Sequence, residues 1–144
     1  MNRREAREAV FELLFETEFK ADEAREAIYA LSTDHREIED TPYIREVYFG
    51  VGEHLAELDE RINRHAQGWK VSRISKVSRS VLRLSVYEML YRPEIPCSVS
   101  INEAIELSKK FDEEKARAFV NGVLNSVKNE IEEELLSLYE LTMD

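Results

Sequence analysis

Little in this chain of 144 residues interrupts a helix. It has four glycines and three prolines, fewer of each than an average protein carries. No run of alternating apolar and polar residues bounded by turn residues reads as a β-hairpin. Cys97 is the single cysteine, so no disulfide can form within the chain and a reducing compartment is expected. It lies between Pro96 and Ser98 with no acid or base beside it, as a packing residue would. No apolar run approaches the ~18 residues of a membrane span. The opening MNRREAREAVFELLF mixes acidic and apolar residues, unlike a secretory signal. A cytoplasmic protein without a membrane partner is the expectation.

The usual chemistry of enzymes is missing as well. His35, His54 and His65 have no second histidine or cysteine three or four residues away. The glycines stand at 50, 52, 68 and 122, which makes no phosphate loop. Ser75 and Lys76 are adjacent, and on a helix they point about 100° apart, so they form no dyad. Carboxylates abound without an isolated pair. These residues imply no catalysis, no metal and no cofactor.

What is present is charge, unevenly spread. The chain holds 30 acidic against 20 basic residues, for a net charge of −10, which disfavours polyanion binding by the surface as a whole. Yet Arg61 to Tyr87 holds Arg61, Arg64, Lys70, Arg73, Lys76, Arg79 and Arg83 and not one Asp or Glu. Residues 20–60 are the acidic counterpart, with twelve acids and four bases.

The apolar pattern predicts an all-α, single-domain bundle of six or seven helices. The first spans 2–19, with Asn2 and Glu5 as a capping box and Ala6, Ala9, Val10, Leu13 and Leu14 on its core face. Phe11, Phe15 and Phe19 lie on a neighbouring face, four residues apart. A short helix over 21–31 would bury Ala24, Ala27, Ile28 and Leu31. Thr41-Pro42 opens a helix that keeps period to about Gln67; Gly50 and Gly52 within it suggest close helix approach, with a hinge as the alternative. Ser72, Ser75 and Ser78 are each candidate caps for a helix from about Ser78 to Tyr91, whose VYEMLY segment is apolar nearly all round and hence central. Pro93 and Pro96 end it. Ser100 to Glu103 is a second capping box, opening a helix through Phe111. The last helix runs from about Ala116 towards Leu141, with Phe119, Val120, Val123, Leu124, Val127, Ile131, Leu135 and Leu138 as its stripe. Glu130 and Glu132–Glu134 oppose the helix dipole there, so fraying or a partly free end is expected.

Several cations on one helical face could neutralise phosphates, and single-stranded RNA would also need stacking or shape contacts. Trp69 within the island and Phe119 beside Lys109, Lys110, Lys115 and Arg117 are the available aromatics. The plainer account is that the cations pair with acidic helices of the same molecule.

The strings SRSVLRLSVYEMLYRPEIPCSVSINEAIELSKKF (78–111), AFVNGVLNSV (118–127) and RREAREAVFELLF (3–15) closely resemble the NusB family of bacterial transcription antitermination and ribosomal-RNA processing factors. The resemblance implies a helical, non-catalytic protein that binds boxA RNA as a heterodimer with NusE, a ribosomal protein. It further implies membership of an RNA polymerase assembly that resists termination, notably on ribosomal RNA operons. By position it makes Arg3, Arg4, Arg7, Arg83, Lys115 and Phe119 RNA-contacting candidates and Phe15 and Ser78 partner-contacting ones. The sequence departs from the family pattern near Phe15 and Ser78, where an aromatic hydroxyl and a carboxylate of some members are absent, and at Asp112, which replaces a glycine. A homodimer is a further possibility. An RNA-independent helical interaction module, similar to the N-terminal domain of ribosomal RNA methyltransferases, is the competing reading.

Overall fold

The computed structural model describes residues 1–20, 24–35, 38–66, 68 and 73–143. Those residues form seven helices and no strand: α1 (Arg3–Thr17), α2 (Arg25–Asp34), α3 (Pro42–Glu53), α4 (Leu55–His65), α5 (Lys76–Tyr91), α6 (Cys97–Phe111) and α7 (Glu114–Met143). The all-α fold agrees with the pattern in the sequence. Trp69, Lys70, Ser72 and the expected start of the second helix at Ala21 lie outside the described residues.

The caps explain most boundaries. Asn2 Oδ1 accepts from the Glu5 amide at 2.8 Å, closing the first turn of α1. Thr41 accepts from the Ile44 amide ahead of Pro42 at the start of α3. Of the three candidate serines, Ser75 caps α5, accepting from the Ser78 amide at 3.1 Å. α5 therefore starts earlier than expected, and Ser78 lies inside it, buried.

Helix α5 is the hub. It packs against α1, α3, α4, α6 and α7, and Val81, Leu82, Leu84, Val86 and Tyr87 are all buried. Small residues permit this crowding: Ser85 is buried and donates to the Ser100 carbonyl of α6. Gly50 faces α5, where an added Cβ would collide with the Tyr87 ring, and at Gly52 one would overlap the Arg25 side chain. Close approach is thus what both glycines permit, although the partners are side chains.

Four expectations need correction. The long helix after Pro42 is two helices, broken at His54 (φ −109°, ψ 19°), because α4 must turn to lay Leu58 and Ile62 against the core. α2 buries Ile28, Tyr29 and Ser32, while Leu31 is exposed and Ala27 faces solvent. α6 starts at Cys97, directly after Pro96, so Ser100 is no cap; its hydroxyl instead donates to Glu88 Oε1 at 2.8 Å. The stripe of α7 stops at Ile131: Leu135 and Leu138 are exposed on a helix that runs on to Met143, the partly free end being the expected alternative that agrees with this. No helix among the described residues is long and apolar enough to cross a membrane.

Candidate nucleic-acid interface

The three arginines of α1 have three different fates. Arg3 is exposed, with its guanidinium 4.2 Å from the centre of the Tyr43 ring, a contact that leaves its donors open. Arg4 is exposed but paired, donating Nε and Nη2 to Glu103 of α6 at 3.0 and 2.9 Å. Arg7 points inward and is only 6% exposed. Its Nε donates to Glu88 Oε2 at 2.8 Å. Glu88, 1% exposed on α5, also accepts from the Tyr43 hydroxyl of α3 and the Ser100 hydroxyl of α6. Burial, and then the Glu88 charge, raises the Tyr43 hydroxyl pKa far above its ordinary value, so Tyr43 stays a donor. Four helices thus meet at one buried ion pair. Direct RNA contact by Arg7, as the resemblance implies, does not fit this placement.

The basic island is largely neutralised from within. Arg61 donates to Glu130 and Glu134 of α7 at 2.8 and 2.9 Å, and Arg64 donates to Glu130 at 3.0 Å. Arg79 grips Glu18 with two bonds of 2.9 Å. Arg83 donates Nε and Nη2 to Asp59 at 2.8 and 2.7 Å, and Nη1 to Glu18. These carboxylates come from α4, α7 and the end of α1, distant in sequence, so a scan of the island alone misses them. The plain account of internal pairing holds for Arg61, Arg64, Arg79 and Arg83. An RNA contact by Arg83 would first have to break bonds to two carboxylates.

What the island leaves open is its Arg73–Lys76 end. There a groove of about 420 Å³ is lined by Arg73, Ser75, Ser78, Asp112, Lys115 and Phe119, among others. It lies between the N-terminus of α5 and the start of α7, so three predicted residues, Ser78, Lys115 and Phe119, come together. Arg73 and Lys115 are exposed, and among the described residues neither has a carboxylate within ion-pair distance. Phe119 is half-buried, with one side on the core. Ser78 is buried, and its hydroxyl donates to Asp112 Oδ2 at 2.9 Å. Ser75 reaches the same oxygen at 3.4 Å. Asp112 therefore sets a negative charge at the N-terminus of α5, where the dipole favours an anion.

An aromatic row runs from α6 along α1 to Phe19. Phe111 meets Phe11 at a tilt with centroids 4.7 Å apart, Phe11 stacks on Phe15 at 6.0 Å, and Phe15 meets Phe19 edge-on at 5.1 Å. Phe19, 60% exposed, carries the Lys76 ammonium 3.9 Å from its ring centre. Phe15 thus sits midway, half-buried. Arg3 and Arg4 occupy the opposite end of α1. The sequence placed Arg73 and Lys76 in the basic island without singling them out, and left Phe19 on a second apolar face marked by the four-residue spacing of Phe11, Phe15 and Phe19. Among the described residues no cluster of His, Cys, Asp and Glu could hold a metal ion.

The NusB family profile matches residues 4–129. This chain belongs to the NusB family. It is 47% identical over 135 residues to the transcription antitermination protein NusB of Bacillus pumilus, covering 93% of this chain and 100% of that one. The same protein of Bacillus subtilis is 44% identical over 134 residues, covering 92% and 99%. Among solved structures, NusB of T. maritima superposes with a TM-score of 0.77 at 36% identity, covering 90% of this chain and 92% of that one. A crystal structure of the antitermination factors NusB and NusE in complex with dsRNA superposes with a TM-score of 0.76 at 26% identity, covering 87% and 94%. The NusB match takes in every candidate residue except Arg3 and leaves the end of α7 outside.

Proposed function

We propose that this chain is a transcription antitermination factor that binds boxA RNA together with NusE and joins the RNA polymerase antitermination assembly, notably on ribosomal RNA operons. The observation that carries this reading is its fold-level match to NusB in the NusB–NusE–RNA structure, joined to family membership along most of the chain. It acts in the cytoplasm by binding, without catalysis.

The site is assigned as follows. Lys115 and Phe119 contact RNA in the groove, with Arg73 adding charge; Arg3 and Arg4 extend the contact along α1. Phe15 and Ser78 belong to the partner side, Phe15 through the aromatic row and Ser78 through Asp112. Arg7 and Arg83 act indirectly, holding α1 and α4 against α5 through Glu88, Glu18 and Asp59. With a net charge of −10, the chain alone attracts RNA weakly, and NusE supplies further cationic surface.

Band shifts with boxA RNA, with and without NusE, test this. A clear gain on adding NusE, absent with scrambled RNA, is expected. No gain, or equal binding of scrambled RNA, would overturn it. A second reading, an RNA-independent interaction module, draws on the internal pairing of Arg61, Arg79 and Arg83; it predicts partner binding that survives charge reversal at Arg73, Lys76 and Lys115.

A further inference from the structure

The acidic side of the molecule holds a second open groove, of about 850 Å³. Its walls are α2 and α3, which run antiparallel: Arg25 lies against Gly52 at one end, and Tyr29 reaches Asp40 towards the other. Ala30, Phe49 and Tyr87 line it between the ends. Two of its carboxylates are matched within the chain, Asp40 by Arg45 and Glu46 by Arg92. Glu26, Asp34 and Glu53 also line it and are exposed, and among the described residues none of the three pairs with a cation. Asp34 and Glu53 stand where their helices disfavour them. They are the last residues of α2 and α3, whose final turns hold no basic residue, although the helix dipole there favours a cation. Because the helices are antiparallel, these two negative helix ends lie at opposite ends of the groove. Glu26 and Asp34 are eight positions apart, as are Arg45 and Glu53, a length of about 12 Å at 1.5 Å per residue.

We infer that this groove binds a linear polyamine, with one terminal ammonium at Asp34, the other at Glu26 and Glu53, and the methylene chain along Phe49. The spacing of the open carboxylates selects the occupant. A single metal ion reaches only one end, and an anion is repelled at both. An apolar ligand would leave both helix ends without a cation. Extended at about 1.2 Å per bond, the nine bonds between the terminal nitrogens of spermidine span about 11 Å, which matches the groove. The half-buried Phe49 ring offers a face to the ammonium in the middle of that chain. The site is separate from the groove of Lys115 and Phe119, so it does not depend on how RNA is bound.

The test is titration calorimetry of the full chain, free of RNA, with spermidine and with two diamines of equal charge, putrescine and its eight-carbon homologue. The longer diamine has the same nine bonds as spermidine, whereas the five of putrescine span about 6 Å. It should bind at least about tenfold more tightly, because only it meets carboxylates at both ends. Asp34→Asn with Glu53→Gln should weaken spermidine binding by at least about tenfold. Glu133→Gln with Glu140→Gln, on α7, removes the same charge and should leave it unchanged. Asp34 and Glu53 oppose their helix dipoles, so the groove variant should melt no lower than the parent. Equal binding of the two diamines, or equal loss in the two double variants, would overturn the proposal and leave only diffuse charge attraction. An arginine-rich peptide that binds through Asp34 and Glu53 while spermidine does not would overturn it in favour of a protein partner. No binding by any of these probes would overturn it outright.

Discussion

Replacing Arg7 by alanine should unfold the protein far more readily than replacing Arg3 or Arg4, although all three open the same helix. Arg7 and Glu88 are 6% and 1% exposed, so neither can turn to water when its partner is removed. In Arg7→Ala the Glu88 carboxylate keeps the Tyr43 and Ser100 hydroxyls but loses the one cation that pairs with it among the described residues. Breaking a buried pair from one side costs about 3–5 kcal/mol. The two retained hydroxyl bonds place Arg7→Ala near the lower end, at about 3 kcal/mol. Glu88→Ala leaves a buried guanidinium and two hydroxyls without an acceptor, so it belongs at the upper end, about 5 kcal/mol. Against a typical stability of about 5–15 kcal/mol for a domain this size, either loss is large. Removing both charges, as Arg7→Met with Glu88→Leu, should recover much of the loss, because the desolvation cost disappears with the pair. Urea unfolding followed by circular dichroism gives all the values. Arg7→Ala costing under about 1 kcal/mol, as a surface arginine would, would refute the reasoning and return Arg7 to the list of RNA contacts.

Other outcomes follow from the same geometry. With NusE present, Lys115→Ala should lower the slope of log K against log salt by about one, while Arg83→Ala, its charge already matched by Glu18 and Asp59, should leave the slope unchanged; the reverse pattern in salt titrations would exchange their roles. Asp112→Asn keeps acceptors for Ser78 and Ser75 but removes the negative charge from the groove, so RNA affinity in band shifts should rise several-fold, and a fall would contradict the groove's orientation. Glu130 is partly buried, which raises its pKa, but His65, Arg64 and Arg61 outweigh this and hold it below its ordinary 4.5. A depressed carboxylate stabilises the fold above its unfolded pKa and loses that contribution as pH falls through the folded value. Glu130→Gln should therefore narrow the difference in melting temperature between neutral pH and pH below about 4, and an unchanged acid slope would remove Glu130 from the α4–α7 link.

The helices were legible where local chemistry sets them. Asn2 and Thr41-Pro42 announce their helix starts, and the apolar circumference of VYEMLY marks α5 as central. Local chemistry failed where tertiary packing decides. The apolar period runs on through His54, so nothing local told that α3 and α4 part there. Ser100 looks like a cap because its hydroxyl has a use, but that use is Glu88, on another helix. One signal was available and unread: Glu88 is the lone carboxylate in an otherwise apolar stretch, and a buried carboxylate requires a cation, which Arg7 provides. The site was less legible than the fold. Whether an arginine is open to a phosphate depends on carboxylates such as Glu18 and Asp59, which reach Arg83 from 65 and 24 positions away. The aromatic row was visible as a spacing, but its exposed end at Phe19 and the lysine over it required the packed structure.

The most direct measurement is the affinity of the chain–NusE pair for boxA RNA and for its scrambled counterpart, parent beside Lys115→Glu. The account predicts selective binding that NusE strengthens and that Lys115→Glu weakens by about tenfold or more, through one lost and one added charge at the groove. Binding that ignores sequence, ignores NusE, or is untouched by Lys115→Glu would contradict it.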